Sequence, residues 1–262
     1  MEKIDYYYYY YYYIIILMEE IDETIIYKIL NQKYTNTPSF YTKIEDINLK
    51  NKNIIILCGS GITKDYGIET FEEMKQINYY DIFSLSNYEN DTLKFYRNIN
   101  LFKKKCANLL KINTDKIFVV TTNIDGMFIG DNLFEVHGNI FESKCLHCND
   151  VNFNELIDEL PLCKICNNII RPNIQFYCDG DYKFNKKQYY AYKDFKNKIN
   201  KVDTIIFEVG CGLSVPILRH ESEVLKQKGF LVYRVNIKDF DNNTNNIPMS
   251  GKQFIEHLIT NI

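Results

Sequence analysis

Four cysteines set the tightest constraint on what this chain can fold into. From Cys145 to Cys166 the sequence runs C-L-H-C, fourteen residues, then C-K-I-C. Two residues between cysteines let both thiolates of a knuckle reach one ion at about 2.3 Å, and a second knuckle completes a tetrahedron. The spacing predicts one zinc ion held by Cys145, Cys148, Cys163 and Cys166, with no position left for water or substrate. Such an ion is structural and takes no part in chemistry. His147, inside the first knuckle, is an alternative ligand. Unliganded core cysteines or disulfides are the competing readings. The sequence carries no secretion signal, which argues against disulfides and for a reducing compartment.

Hydrophobic periodicity gives the rest of the framework. Asn53-Ile-Ile-Ile-Leu-Cys58 is a continuous apolar run that ends in Gly59-Ser60-Gly61. Unbroken apolarity bounded by glycine fits a strand buried on both faces of a parallel sheet. Further runs lie at residues 116–121, leading into Thr122-Asn123-Ile124-Asp125, and at 204–209, leading into Gly210-Cys211-Gly212. A fourth covers 230–236 and ends at Asn236. Residues 214–229 carry a capping serine, an early proline and a terminal glycine, the punctuation of a helix. Strands alternating with helices imply a parallel α/β sheet, with helices on both faces. Polar and glycine residues at four carboxyl strand ends then meet in one crevice, where open α/β sheets bind ligands. A Gly-x-Gly turn there lets backbone N–H groups approach a pyrophosphate.

The predicted organisation is an extension over residues 1–50, a Rossmann-like domain from 51–140 and 171–262, and a zinc module at 141–170. Residues 6–13 are an unbroken tyrosine run followed by an apolar stretch. It is shorter than the roughly 20 residues of a membrane helix and lacks a basic leader, so neither a span nor a signal peptide is expected. Left exposed, such a run can pair or aggregate; the alternatives are low-complexity drift, or a strand or helix packed on the main domain. A net charge of -3 gives no electrostatic case for nucleic acid. The location expected is cytoplasmic or nuclear.

His137, in F-E-V-H-G, lies between the crevice and the zinc module. A lone histidine is usually structural, but here its ordinary titration range suits a general base. His220 and His257 fall in helical stretches and receive no role. Beyond the zinc module, the segment that starts at Arg171-Pro172 and contains Gln175, Phe176, Tyr177 and Cys178 reads as an extended edge that can accept a peptide as an added strand. Residues 180–200 read as a solvated helix or lid.

The order of these motifs over residues 51–260 resembles the sirtuin family of NAD-dependent protein deacylases. C-G-S-G-I-T from Cys58 to Thr63, continuing to Phe71, is similar to the family's first cofactor loop. Thr122-Asn123-Ile124-Asp125 resembles its Q-N-I-D segment, and Glu135-Val136-His137-Gly138 the segment that holds its catalytic histidine. The four cysteines match its zinc ribbon, and residues 171–179 its substrate-pairing strand. Gly210-Cys211-Gly212 stands where the family has G-T-S, and Asn236 where an asparagine contacts the adenosine ribose.

The resemblance implies NAD bound by Gly59, Ser60, Gly61, Ile62, Thr63, Phe71, Thr122, Asn123, Ile124, Asp125, Gly210, Cys211, Gly212 and Asn236. It implies His137 as the base that deprotonates a ribose hydroxyl, and Asn123 as the residue that positions the nicotinamide ribose or a water. The substrate is an acylated lysine of a protein. The products are the free lysine, nicotinamide and O-acyl-ADP-ribose. The chain departs from the family pattern at Glu72, where arginine is usual, at Thr122 for glutamine, and at Phe128 for histidine. These departures keep open a weakly catalytic NAD- or ADP-ribose-binding protein, an ADP-ribosyltransferase or NAD hydrolase, and a zinc-ribbon interaction protein without a cofactor.

Overall fold

The computed structural model describes residues 23–68, 91–104, 106, 110–111, 114–153, 159, 161–176, 182, 184–213 and 216–261. The tyrosine run, Phe71, Glu72, Tyr177, Cys178 and Ser214 lie outside them. In chain order the strands are β1 (Asn53–Cys58), β2 (Leu110–Lys111), β3 (Ile117–Thr121), β4 (Phe128–Ile129), β5 (Leu133–Glu135) and β6 (Gly138–Cys145). There follow β7 (Val151–Phe153), β8 (Ile170–Ile174), β9 (Thr204–Val209), β10 (Leu231–Asn236) and β11 (Asn245–Pro248). The helices are α1 (Glu23–Asn31), α2 (Ser60–Asp65), α3 (Thr92–Lys103), α4 (Lys186–Lys198), α5 (Ile217–Gln227) and α6 (Gly251–Asn261).

Six strands form one sheet in the order β11-β10-β9-β1-β3-β5, with every neighbouring pair parallel. The four apolar runs are therefore the four central strands. Their continuous apolarity has a simple cause, because both faces are covered. Ile54, Ile56, Phe207 and Val235 pack on one side with Phe254, Ile255 and Leu258 of α6. Ile55, Leu57, Phe118 and Ile206 pack on the other with α4 and α5.

Helix α5 starts later than its punctuation suggests, with Pro216 at the cap. It ends as the glycine predicts. Gly229 has φ +89°, Gly229 N–H donates to Lys226 O at 2.9 Å, and Phe230 N–H donates to Leu225 O at 3.1 Å. That is a Schellman stop. Nine consecutive residues of α5 are buried, charged ones included, since α1 lies over it through Ile25, Ile29 and Val224. Residues 186–198 differ from the expected solvated helix. Tyr189, Tyr192 and Phe195 recur at helical spacing and are buried against Phe118 and Phe134. Aromatic packing holds α4 down on the sheet, and Tyr192 sits 5.3 Å from Phe118, ring to ring.

A second, antiparallel sheet has the order β7-β6-β8. Strand β6 leaves the main sheet directly after His137. It turns at Gly138, whose φ is +79° and whose absent Cβ would lie 1.9 Å from Asn173 O. Only glycine fits there.

Candidate active site

The turns after β1 and β9 interlock. Gly61 N–H donates to Gly210 O at 2.9 Å, and Gly59 N–H donates to Val209 O at 2.9 Å. A Cβ on Gly59 would sit 2.7 Å from Gly210 O, and one on Gly210, at φ +60°, would sit 2.7 Å from Ile62 N. The glycines at 59 and 210 are thus required by backbone contact between two strand ends.

The end of β3 is tied to the same place. Thr121 Oγ1 donates to Cys58 O at 2.9 Å and accepts from Asn123 N–H at 3.0 Å. Asn123 Nδ2 donates to Gly59 O at 3.1 Å. Asp125 is buried, with one carboxylate oxygen accepting from Thr63 Oγ1 at 2.8 Å and the other from Met127 N–H at 3.0 Å. Burial raises its pKa, against the pull of those two donors.

His137 is buried beside this end. Its Nδ1 lies 3.0 Å from Thr122 O. A carbonyl can only accept, so Nδ1 carries the hydrogen. Burial holds the imidazole down at about 4, against the stabilising Thr122 carbonyl. At neutral pH the ring is neutral and Nε2 carries the lone pair, the form of a base. Gln175 N–H donates to His137 O at 2.9 Å, which joins the segment after β8 to the histidine backbone. Ile124 and Phe176 share a buried cluster with Ile68, Ile140 and Ile174.

At the other side of the crevice Asn236 Nδ2 donates to Cys211 O at 3.2 Å. The structure thus links Gly59, Gly61, Ile62, Thr63, Thr122, Asn123, Asp125, His137, Gln175, Gly210, Cys211 and Asn236 through direct contacts. Ser60 and Gly212 belong to the same turns. Phe71, Tyr177 and Cys178 lie outside the described residues.

Two carboxylates carried no role in the sequence reading. Glu135 is buried and accepts from Asn139 Nδ2 at 2.8 Å and Gln188 Nε2 at 3.3 Å. Burial pushes it up to about 7, partly offset by Gln188. Glu208, the penultimate residue of β9, faces Arg219 and Arg234. For Glu208 the signal was a charged residue inside each of two apolar runs, Glu208 in T-I-I-F-E-V and Arg234 in F-L-V-Y-R-V-N.

The four cysteines form a separate cluster. Sγ separations are 3.4 Å for Cys145–Cys166, 3.3 Å for Cys148–Cys163 and 3.8 Å for Cys148–Cys166, and the four sulfurs lie within 4.8 Å of one another. Thiolates about 2.3 Å from one tetrahedral ion are about 3.8 Å apart, so the donor set fits zinc. His147 is not part of the cluster. The two knuckles are built alike. Asn149 N–H donates to Cys145 O and Asn167 N–H to Cys163 O, each at 2.9 Å. Both asparagines are left-handed, with φ of 60° and 57°, a conformation asparagine tolerates better than most residues.

Among the described residues no helix is long and apolar enough to cross a membrane. Residues 59–216 match the model of the Sir2 family. An NAD-dependent protein deacylase of Leptospira interrogans is 24% identical over 224 residues, which cover 75% of this chain and 85% of the relative. One of Pyrococcus abyssi is 28% identical over 214 residues, 72% of this chain and 83% of the relative. A crystal structure of a Sir2 homologue–NAD complex superposes with a TM-score of 0.63 at 16% identity, covering 92% of this chain and 93% of that one.

Proposed function

From the premise that the chain belongs to the Sir2 family, we propose that it is an NAD-dependent protein lysine deacylase, releasing nicotinamide and O-acyl-ADP-ribose. The observation that carries the reading is the His137 imidazole, neutral, buried, and oriented by the Thr122 carbonyl beside Asn123 and Asp125.

NAD when bound supplies an electrophilic ribose carbon and the hydroxyl that later takes the acyl group. Its pyrophosphate would lie along the backbone of residues 59–62, whose shape is fixed because Gly59 and Gly61 N–H are engaged by Val209 O and Gly210 O. Asn236 and the turn 210–212 would hold the adenosine end. Asp125 and the Ile124 backbone would bind the carboxamide, with Thr63 keeping the carboxylate in place. Asn123 would orient the nicotinamide ribose or a water. His137 accepts the hydroxyl proton at Nε2 while Nδ1–H stays on Thr122 O. The acyl-lysine would pair with residues 175–178. Zinc on the four cysteines would hold β6, β7 and β8 together and leave the reaction untouched.

The test is mass spectrometry of an acetyl-lysine peptide with and without NAD. Deacetylated peptide and O-acetyl-ADP-ribose are expected together, with at least about a 100-fold loss in His137→Ala, the usual scale for a general base. Free ADP-ribose, or ADP-ribose on protein, without loss of the acyl group would replace this reading with a hydrolase or transferase. Full activity in His137→Ala would remove the assignment of the base.

A further inference from the structure

Behind the turn 210–212 lies a cluster of buried ions centred on Glu208. Arg219 donates to Glu208 Oε1 from Nε at 3.0 Å and from Nη2 at 2.9 Å. Arg234 donates to Glu208 from Nε at 2.9 Å and from Nη2 at 3.3 Å, and its Nη1 pairs with Asp241. Ser222 Oγ donates to Glu208 Oε2 at 2.6 Å. The Tyr34 ring covers both guanidiniums, 5.0 and 6.0 Å from its centroid. Glu223, also buried, adds a carboxylate 3.8 Å from Arg234 Nη2 and is shared with Lys28 and Lys226.

Stability alone does not account for such a cluster, because apolar residues of the same volume often serve as well. Its geometry has a second output. Arg219 Nη2 also donates to Cys211 O at 3.0 Å, the same oxygen that accepts from Asn236 Nδ2 at 3.2 Å. One rigid guanidinium, itself pinned by Glu208, therefore sets the Cys211 peptide plane. Through it Arg219 sets both the turn after β9 and the amide of Asn236. Arg219 has no exposed surface, so it acts on a ligand only through these two groups.

We infer that Arg219 is a positioning residue for the adenosine-ribose end of the cofactor, held by Glu208 and acting through the Cys211 carbonyl. The inference rests on the crevice being the NAD site. Removing the guanidinium frees the carbonyl to rotate, so Asn236 loses its fixed acceptor while His137, Asn123 and Asp125 keep every contact described above. Binding should suffer and chemistry should not.

Calorimetry with ADP-ribose on the full chain tests this, followed by steady-state kinetics with NAD. Arg219→Met leaves Glu208 short of a partner and can fail to fold. The double variant Glu208→Gln with Arg219→Met removes one charge of each sign and leaves the Arg234–Asp241 pair intact. Both the double variant and any folded single variant should bind ADP-ribose about tenfold more weakly, the scale of one lost charge-assisted hydrogen bond. KM for NAD should rise in parallel with kcat within about twofold, the pattern of lost ground-state binding. Arg219→Lys keeps the charge without the fork and should recover thermal stability before it recovers affinity. A folded double variant that binds ADP-ribose like the wild type overturns the inference and leaves the cofactor site standing. A wild-type protein that binds no ADP-ribose overturns both.

Discussion

Glu135 and His137 sit two residues apart, both buried, and their linkages to folding oppose one another. Burial lifts Glu135 from an ordinary value of 4.5 to about 7. In the window between those values the folded state holds a proton that the unfolded chain has released. Its contribution to stability is full below 4.5 and is lost as pH rises through 7. Burial lowers His137 from 6.5 to about 4. Here the unfolded chain takes up the proton first, so stability falls as pH drops through that window. Each displacement is worth about 2 kcal/mol between pH 7 and pH 5, with opposite sign. In the wild type the two nearly cancel.

Single variants should expose the hidden slopes. Glu135→Gln keeps an amide-compatible shape for Asn139 and Gln188 and removes the stabilising proton. Its stability relative to wild type should fall by about 2 kcal/mol on going from pH 7 to pH 5. His137→Gln removes the opposing group and should gain about 2 kcal/mol over the same interval. Urea unfolding at both pH values measures this, and other titrating groups, the cysteines included, cancel in the difference from wild type. A variant whose pH dependence matches the wild type would show that burial does not displace that group, and the neutral His137 assigned as base would lose its physical cause.

Two further outcomes follow from the folded geometry. The protein should carry one zinc per chain, and its removal by a chelator should lower Tm by more than about 10 °C, since structural zinc supplies folding energy directly. Equal Tm values with and without metal would refute a structural role for the four cysteines. Gly138→Ala should cost at least about 2 kcal/mol in urea unfolding, because its Cβ would meet Asn173 O at 1.9 Å and φ is +79°. A loss below about 0.5 kcal/mol would mean that the β6–β8 crossover is looser than described.

The central sheet was legible because its four inner strands are packed on both faces, which leaves apolar runs in the sequence, interrupted by Glu208 and Arg234. The edge strands were not. Strand β11, Asn-Asn-Ile-Pro, carries no strand signal and exists because β10 offers it a parallel register from Tyr233 to Asn236. The knuckles were legible because metal geometry fixes cysteine spacing over four residues. Helix α4 was misjudged as solvated because its composition is polar, while three aromatics at helical spacing decide its packing. The turn 210–212 could be placed at the crevice from its glycines, but the arginine that fixes it could not. Arg219 reaches Cys211 through a tertiary contact that no local pattern encodes.

The sharpest case is a tripeptide that occurs twice. Phe134-Glu135-Val136 and Phe207-Glu208-Val209 are the same three residues at the carboxyl ends of two strands of one parallel sheet. Both glutamates are buried, and burial opposes ionisation of both. Glu208 nevertheless falls to about 2, because two guanidiniums and a serine hydroxyl outweigh desolvation. Glu135 rises to about 7, because its partners, Gln188 and Asn139, are uncharged amides. Coulomb attraction from a full charge at hydrogen-bond distance exceeds what a neutral donor supplies in the same surroundings. Identical local sequence therefore yields a carboxylate that stays charged in acid and clamps an arginine, and another that is half protonated near neutrality beside the base. The difference lies in Arg219, Arg234 and Gln188, which stand 11, 26 and 53 residues from the glutamates they control.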